Sequence, residues 1–453
     1  MRISYNRELF YAKALLEKTT HSFFLTGKAG TGKSTFLRQS IQQLQKPFLV
    51  AAPTGIAAIN VGGMTIHSLF KLPLRPLMPN DKDILKFHPD STRYKLLNKM
   101  QTLIIDEVSM VRADVIDAID TCLRRNVDNS KPFGGKQVLL VGDVFQLGPV
   151  VSDKKSEREL IDKFYSSPYF FSARVFAQMK ETGMQLPAIE LQQVYRHQDF
   201  DFISLLDRIR TGTATQKDID YLNLRYVGNL SSSTKELFQI TLCTSNALAD
   251  SINAEQLAQL PGETFQYPAT VQGDFDAALY PTDDPLLLKE GAQVMFIRND
   301  PEGRWVNGTI GQVHRLSKDS IHIALEAGQV YEITSTTWEH TRYTYDKEKD
   351  VITTEVLGRF TQYPLRLAWA ITIHKSQGLT LDKININLGK GAFAAGQLYV
   401  ALSRCRTLEG ITLSRKIRLS DVIVSKQVKE FAQTFNDLRL IEELFTKYKI
   451  PVN

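Results

Sequence analysis

Four side chains in the first quarter of the chain have the types needed to hold and cleave a phosphoanhydride: Lys33, Ser34, Asp106 and Glu107. The first two close the run Gly27-Lys28-Ala29-Gly30-Thr31-Gly32-Lys33-Ser34-Thr35, which fits the phosphate-binding spacing G-x-x-x-x-G-K-[ST]. Gly27, Gly30 and Gly32 let the backbone turn tightly and bring its N–H groups, those of Ala29, Thr31 and Thr35 among the candidates, close to an anion. Lys33 puts a point charge near the β- and γ-phosphates, and Ser34 offers a hydroxyl to Mg²⁺. Asp106 can hold the same ion through its water shell, while Glu107 polarises the attacking water. ATP and Mg²⁺ are therefore the expected cofactors, with Ser34 and Asp106 as metal candidates. Gln146 is placed to sense the γ-phosphate and report its loss; the competing reading is a loop glutamine capping a backbone group.

These groups need strand tips and helix starts to position them. Phe23-Phe24-Leu25 reads as a buried strand entering the loop, and the residues from Phe36 to Ile41 as a helix whose positive end faces the phosphates. A helix over 5–18 carries Leu9, Ala12, Leu15 and Leu16 on one face. Further strands are expected at 47–52, at 102–107 with the two carboxylates at its end, and at 138–141 leading into Gly142-Asp143-Val144-Phe145-Gln146. A helix is expected at about 112–125. Strands alternating with helices predict α/β architecture with parallel sheets and ligands at the strand C-termini. Residues 71–92 are rich in proline and charge and read as a small insertion. The second half repeats the alternation without a phosphate loop, with a helix at 201–209 and a strand at 238–243. From 291 to 360 the texture changes to short alternating strands, at 293–297, 321–325 and 330–333, separated by turns such as Asn307-Gly308. This predicts a small β-barrel inserted in the second α/β domain. The α/β pattern returns at 365–370, and a polar helix ends the chain.

The chain has 453 residues, room for two to four domains, and a hydrophobic share of 43% that supports real cores. A net charge of +6 permits a nucleic-acid partner without requiring one. Cys122, Cys243 and Cys405 lie far apart without metal spacing, so they read as small core residues or free thiols in a reducing compartment. With no evident signal peptide and no apolar run near the ~20 residues that span a bilayer, a cytoplasmic location without membrane partners is expected, nucleoid-associated in a bacterium.

The segments Gly27–Ser34, Ala52-Pro53-Thr54-Gly55, Asp106-Glu107-Val108-Ser109-Met110 and Gly142–Leu147 resemble motifs of superfamily-one helicases. Leu191-Gln192-Gln193-Val194-Tyr195-Arg196-His197-Gln198-Asp199, followed by Phe202 and Ile209-Arg210-Thr211-Gly212, resembles the signature of the petite-integration-frequency (Pif-type) helicases. Ala370-Ile371-Thr372-Ile373-His374-Lys375-Ser376-Gln377-Gly378 and the stretch from Gln397 to Arg406 are similar to that family and its RecD-like relatives. The matches run in the expected order from residue 23 to about 413. The resemblance implies two RecA-like domains with ATP between them: the first at 1–70 and 96–186 with a wedge insertion at 71–95, the second at 187–290 and 361–453 with an SH3-like β-barrel at 291–360.

It also implies 5′-to-3′ movement on single-stranded DNA, and Arg196 and Arg404 reaching the γ-phosphate, with Gly378 on the nucleotide side. A guanidinium brought from a moving domain stabilises transition-state charge and couples closure to hydrolysis. The family's glutamine that reads adenine before the phosphate loop is absent; Asn6 is the earlier amide that can substitute. Thr54, Gly55, Thr65, His67, Pro149, His374 and Ser376 fall in loops that the resemblance assigns to DNA, with Asn299 and Asn307 added from the β-insert. Core or surface roles compete for the two histidines. Lys71 and Arg75 fit phosphate contacts and a solvated face equally. The expected function is an ATP-dependent DNA helicase acting on single-stranded, forked or structured DNA, as a monomer or weak DNA-induced dimer, in DNA repair, recombination or telomere-like maintenance. The alternatives are a DNA-stimulated translocase that strips proteins without unwinding, and a phosphate-loop switch with a partner other than nucleic acid.

Overall fold

The structure, a computed structural model, describes residues 6–151, 155–195, 199–228, 238–346, 349 and 351–451. Contacts divide the chain into two units: Met1–Arg196, Thr341–Val356 and Ser425–Asn453 in the first, His197–His340 and Leu357–Val424 in the second.

The short apolar runs of the first unit become strands β1 (Phe23–Gly27), β2 (Phe48–Ala52), β3 (Met64–Thr65), β4 (Thr102–Ile105), β5 (Gln137–Val141) and β6 (Ala188–Leu191). They form one sheet in the order β3-β2-β4-β5-β1-β6 with every pairing parallel. Helices α1 (Arg7–Lys18), α2 (Lys33–Gln43), α3 (Gly55–Asn60), α4 (Ile66–Phe70), α5 (Thr92–Lys99) and α6 (Ala113–Asn126) lie among these strands in sequence. A parallel sheet is covered on both faces, so β1 is buried at all five positions. Phe23 and Leu25 join a core with Leu15 and Leu16 of α1 and with Ile189. Phe24, pointing the other way, meets Phe170 edge-on at 5.1 Å and stacks near Phe431 at 5.8 Å.

Phe431 marks a departure from expectation. Residues 425–453 belong to the first unit, where 361–453 was assigned to the second. The helix Leu438–Lys447 puts Ile441, Leu444 and Phe445 into the core beside α1. Asn436 lies along the outer edge of β6, its Oδ1 accepting the Glu190 N–H at 2.8 Å, so an edge strand is covered by the returning chain. β6 itself, expected to open the second domain at 187, closes the first sheet. The insertion at 71–95 has no regular element before α5. Its turn is fastened by Arg75, which pairs with both Asp81 oxygens at 2.7 and 3.0 Å and with Asp83.

The second unit holds a four-stranded parallel sheet, Ala370–Thr372, Ile240–Cys243, Ile384–Asn387 and Ile411–Leu413 in that order. Between its strands the chain builds antiparallel sheet. Five strands, Val330–Ile333, Ile321–Leu325, Ile310–Leu316, Gln293–Phe296 and Leu365–Leu367, pair in that order around a core that includes Phe296, Trp305 and Leu286. The expected α/β strand at 365–370 is therefore two elements. Leu365–Leu367 stays with the insert, and the chain changes sheets at Ala368 and Trp369, whose N–H and C=O bond Gln293 and Thr241 respectively. A long hairpin, Thr336–Asp346 and Val351–Gln362, adds a third sheet with Thr270–Gly273. Its far part, Thr341–Val356, counts in the first unit, where the Tyr343 hydroxyl accepts the Val50 N–H at 3.2 Å. All three cysteines are buried and free, and no helix among the described residues is long and apolar enough to cross a membrane.

Candidate active site

The glycine loop after β1 turns through left-handed backbone at Gly30 (φ 82°) and Gly32 (φ 91°), and Gly27 has no room for a side chain: a Cβ there would lie 2.6 Å from Thr31 Oγ1 and 2.9 Å from the Leu191 carbonyl. Gly32 is also the N-cap of α2 and supplies no side-chain acceptor for the first N–H groups of the helix. Lys33 folds back into the loop, donating to the carbonyls of Gly27 at 2.5 Å and Lys28 at 3.1 Å. Those are the contacts a phosphate oxygen would replace. Ala29 is buried in the same turn, and Thr31 is pinned by its Oγ1 to the Lys28 carbonyl at 2.9 Å.

Asp106 and Glu107 leave the end of β4 together. Burial and the neighbouring Glu107 carboxylate push Asp106 well above the ordinary carboxylate range, against the opposing effects of the Glu107 N–H, 2.9 Å from its Oδ1, and of Lys33. Glu107 sits in left-handed backbone, φ 50° and ψ 41°, unusual for a residue with a long side chain. Gln146 is buried after β5, in a turn where Asp143 accepts the Phe145 N–H through Oδ1 and the Gln146 N–H through its carbonyl. The three strand ends β1, β4 and β5 are neighbours in the sheet, so Lys33, Asp106, Glu107 and Gln146 converge at its C-terminal edge.

One side chain at this edge is absent from the residues singled out above. Tyr195 donates its N–H to the Gly30 carbonyl at 2.9 Å, and its ring would lie 3.7 Å from a Cβ on Gly32. The ring is 49% exposed, a flat surface lying over the phosphate loop. Its signal was its place in the run from Leu191 to Asp199. The next residue, Arg196, lies outside the described residues.

Other expected residues have local partners. Asn6 caps α1, its Oδ1 accepting the Leu9 N–H at 3.1 Å. Thr54 and Thr65 cap α3 and α4 through their hydroxyls, and Gly55 opens α3. His67 is half-buried on α4, and burial together with Arg112, against the opposing effect of Asp114, lowers its pKa and so favours the neutral ring. Burial lowers His374 in the same direction. Lys71, at φ 54°, ends α4 and is exposed. Pro149 is half-buried in the loop after β5, and Gly378, at φ 81°, is exposed. Arg75, partly exposed, has its guanidinium engaged by Asp81 and Asp83. Ser376 is fully buried, with its hydroxyl donating to the Ile373 carbonyl at 2.7 Å. Asn307 donates its N–H to Asn299 Oδ1 at 2.7 Å, so this pair shapes a turn. Arg404 is 2% exposed, donating to the carbonyl of Val400 at 2.9 Å and to Ser403 Oγ at 2.7 Å. These partners lie in its own unit.

A family model for PIF1-like helicase matches residues 6–220. The ATP-dependent DNA helicase Pif1 of Psychrobacter sp. is 32% identical over 87% of this chain and 66% of its own length. That of Bdellovibrio bacteriovorus is 30% identical over 93% of this chain and 90% of its own. The chain thus spans under two thirds of the Psychrobacter relative and 58% of the Rattus norvegicus one. Bacteroides sp. Pif1 in complex with ADP-AlF4 superposes with a TM-score of 0.88, 39% identity, and coverage of 97% of this chain and 98% of that one. The Bacteroides protein bound to single-stranded DNA is 40% identical over 95% of this chain and 97% of its own, with a TM-score of 0.66.

Proposed function

The chain belongs to the PIF1-like helicase family, and from that premise we propose that it is an ATP-dependent DNA helicase that moves 5′ to 3′ on single-stranded DNA. The observation that carries the reading is the convergence of Lys33, Asp106, Glu107 and Gln146 at one edge of a parallel sheet, beside a helix start with no cap of its own. Each unit's parallel sheet fits a RecA-like domain, and we take the antiparallel insert as an SH3-like module.

In this reading Lys33 exchanges its two loop carbonyls for the β- and γ-phosphates, and the α2 N–H groups hold the remaining oxygens. Glu107 orients the attacking water, held in position by its left-handed backbone. The Ser34 hydroxyl and the Asp106 carboxylate are hard oxygen donors suited to Mg²⁺, and the charge crowding at Asp106 fits a cation there. When bound, that ion would neutralise phosphate charge. The Tyr195 ring adds a flat face beside the loop. Because its Oδ1 is committed to a helix cap, Asn6 has only its amide nitrogen to offer adenine. Arg404 acts as a finger only by leaving its carbonyl partners, and Arg196 retains the second finger role that the family resemblance assigns it.

The neutral rings of His67 and His374 suit bases better than phosphates, while the Thr54 and Thr65 helix starts suit the backbone. The insertion at 71–95 is the proposed wedge, with Leu74, 88% exposed, as its apolar tip. A strand-displacement assay on a 5′-tailed duplex tests the reading. Unwinding that needs ATP supports it, whereas DNA-stimulated hydrolysis without strand separation would make the chain a translocase.

A further inference from the structure

The insertion reaches α6 at a place that none of the expected DNA residues occupies. Its turn at Pro79 and Asn80 walls a cavity of about 280 Å³, closed on the other sides by α6 and the helix Arg174–Glu181. Three guanidiniums line it, from Arg124, Arg125 and Arg174. Its two carboxylates are already engaged. Asp117 accepts the N–H groups of Arg174 at 3.1 Å and Val175 at 3.0 Å, and Asp120 accepts Arg124 Nε at 2.7 Å and the Phe133 N–H at 2.5 Å. Arg125 donates to the carbonyls of Asn80 at 3.3 Å and Asp81 at 3.1 Å, which fixes the insertion's turn to the end of α6. The Arg174 side chain is exposed, and among the described residues its guanidinium has no hydrogen-bond or ion-pair partner.

A cavity whose two carboxylates are engaged and whose open charged group is a guanidinium favours an anion. Its volume sits below the ~300 Å³ at which dedicated small-molecule pockets begin, and it is open to solvent, which suits one phosphate of a polymer better than a free nucleotide. An acidic peptide offers the same charge. The tie through Arg125 to the turn of the proposed wedge favours nucleic acid, because a strand parted there would lie beside this cavity.

We propose that the cavity takes a backbone phosphate of the DNA arm parted by the insertion, a contact made at forks and absent on a bare strand. The proposal rests on the wedge reading above. Arg174 is the phosphate ligand, and Arg124 and Arg125 set the local field and hold the walls.

The test is fluorescence anisotropy of the full chain on a forked duplex and on its 5′ tail alone, across a salt series. Arg174→Gln should weaken fork binding roughly three- to fivefold at physiological salt and reduce the fork's salt slope by about one, with tail binding and tail-stimulated ATP hydrolysis unchanged. Arg174→Lys should restore most of the fork affinity. Equal losses on fork and tail, or no loss on the fork, would overturn the proposal. So would a fork-neutral variant that instead loses binding of a polyglutamate peptide. Leu74→Ser separates this from the choice of wedge tip: if it leaves unwinding intact while Arg174→Gln shows the fork-selective loss, Leu74 is not the tip and the phosphate site stands.

Discussion

Glu107 concentrates the conflict between fold and chemistry in one residue. A left-handed backbone costs a side-chain-bearing residue on the order of 1 kcal/mol, and its carboxylate also crowds Asp106. Glu107→Gln should bind ATP without turning it over, and Glu107→Gly should in addition raise thermal stability, since glycine adopts this backbone freely. Stability that falls in both variants would show that the strain serves packing and not catalysis. Lys33→Ala should abolish hydrolysis while leaving single-stranded DNA affinity intact, because only the phosphate site loses its charge. Arg404 separates two roles by chemistry. As a finger, its replacement by lysine should keep the fold and DNA binding while DNA-stimulated hydrolysis falls by roughly 10³-fold. As a purely structural residue, Arg404→Lys should lower the melting temperature and leave stimulated turnover per folded molecule near normal. The glycine loop and the strand ends that carry the candidate residues were legible because phosphate chemistry demands fixed spacings. The backbone of Glu107 and the burial of Arg404 and Ser376 were not, since a motif specifies side chains and not the solvent around them.

At the scale of elements, strand periodicity located β1, β2, β4 and β5 within a residue or two, because each is a short apolar run bounded by turn residues. The partner of an amphipathic helix is harder to read. Ile441, Leu444 and Phe445 form a stripe that announces burial, yet nothing local says that α1 and β1 receive it. Phe445→Ala should therefore destabilise the first unit by about 3 kcal/mol or more, measured as reduced ATP-site occupancy on heating, with the second unit's melting unchanged. Trp305 shows the same limit: two residues before the Asn307-Gly308 turn, it stacks on Phe296 at 4.4 Å and is 7% exposed. The insertion turn carries a pH signature. Arg75 holds Asp81 down to about 2, below its ordinary 3.8. A carboxylate depressed in the folded state contributes stability above its unfolded value and loses it as pH falls through the folded one. The insertion should therefore loosen between about pH 4 and pH 2. Asp81→Asn should loosen it already at neutral pH, at a cost of ~1 kcal/mol once solvent around the exposed guanidinium is counted. Limited proteolysis within 71–91 across pH reads this directly.

For the whole molecule the proposed helicase activity raises the matter of direction, which a nucleotide site cannot encode: hydrolysis at the proposed Lys33 and Glu107 site would have no knowledge of strand polarity. Polarity must be read by groups that touch the strand, and the candidates lie in both units, His67 and the Thr65 helix start in the first, His374 and the insert's turn in the second. In the proposed helicase, two grips that alternate in affinity through the ATP cycle would give net motion, with its sense set by which grip is tighter in each state. We predict unwinding of duplexes with a 5′ single-stranded tail and little action on matched 3′-tailed ones. The insert's contribution is testable only where its core is spared. Trp305 must stay, since it fills the space among Phe296 and Tyr331, whereas Val306 is 54% exposed and Asn307 is held by its backbone bond to Asn299. Replacing Val306-Asn307 by Gly-Ser should shorten the unwound length per binding event while leaving basal hydrolysis unchanged. Single-turnover unwinding of the tailed pair, with an excess of trap strand, measures both claims together. Preference for the 3′ tail would overturn the direction, and an unchanged unwound length in the variant would remove the strand-holding role from the insert's turn and leave it to the two histidines.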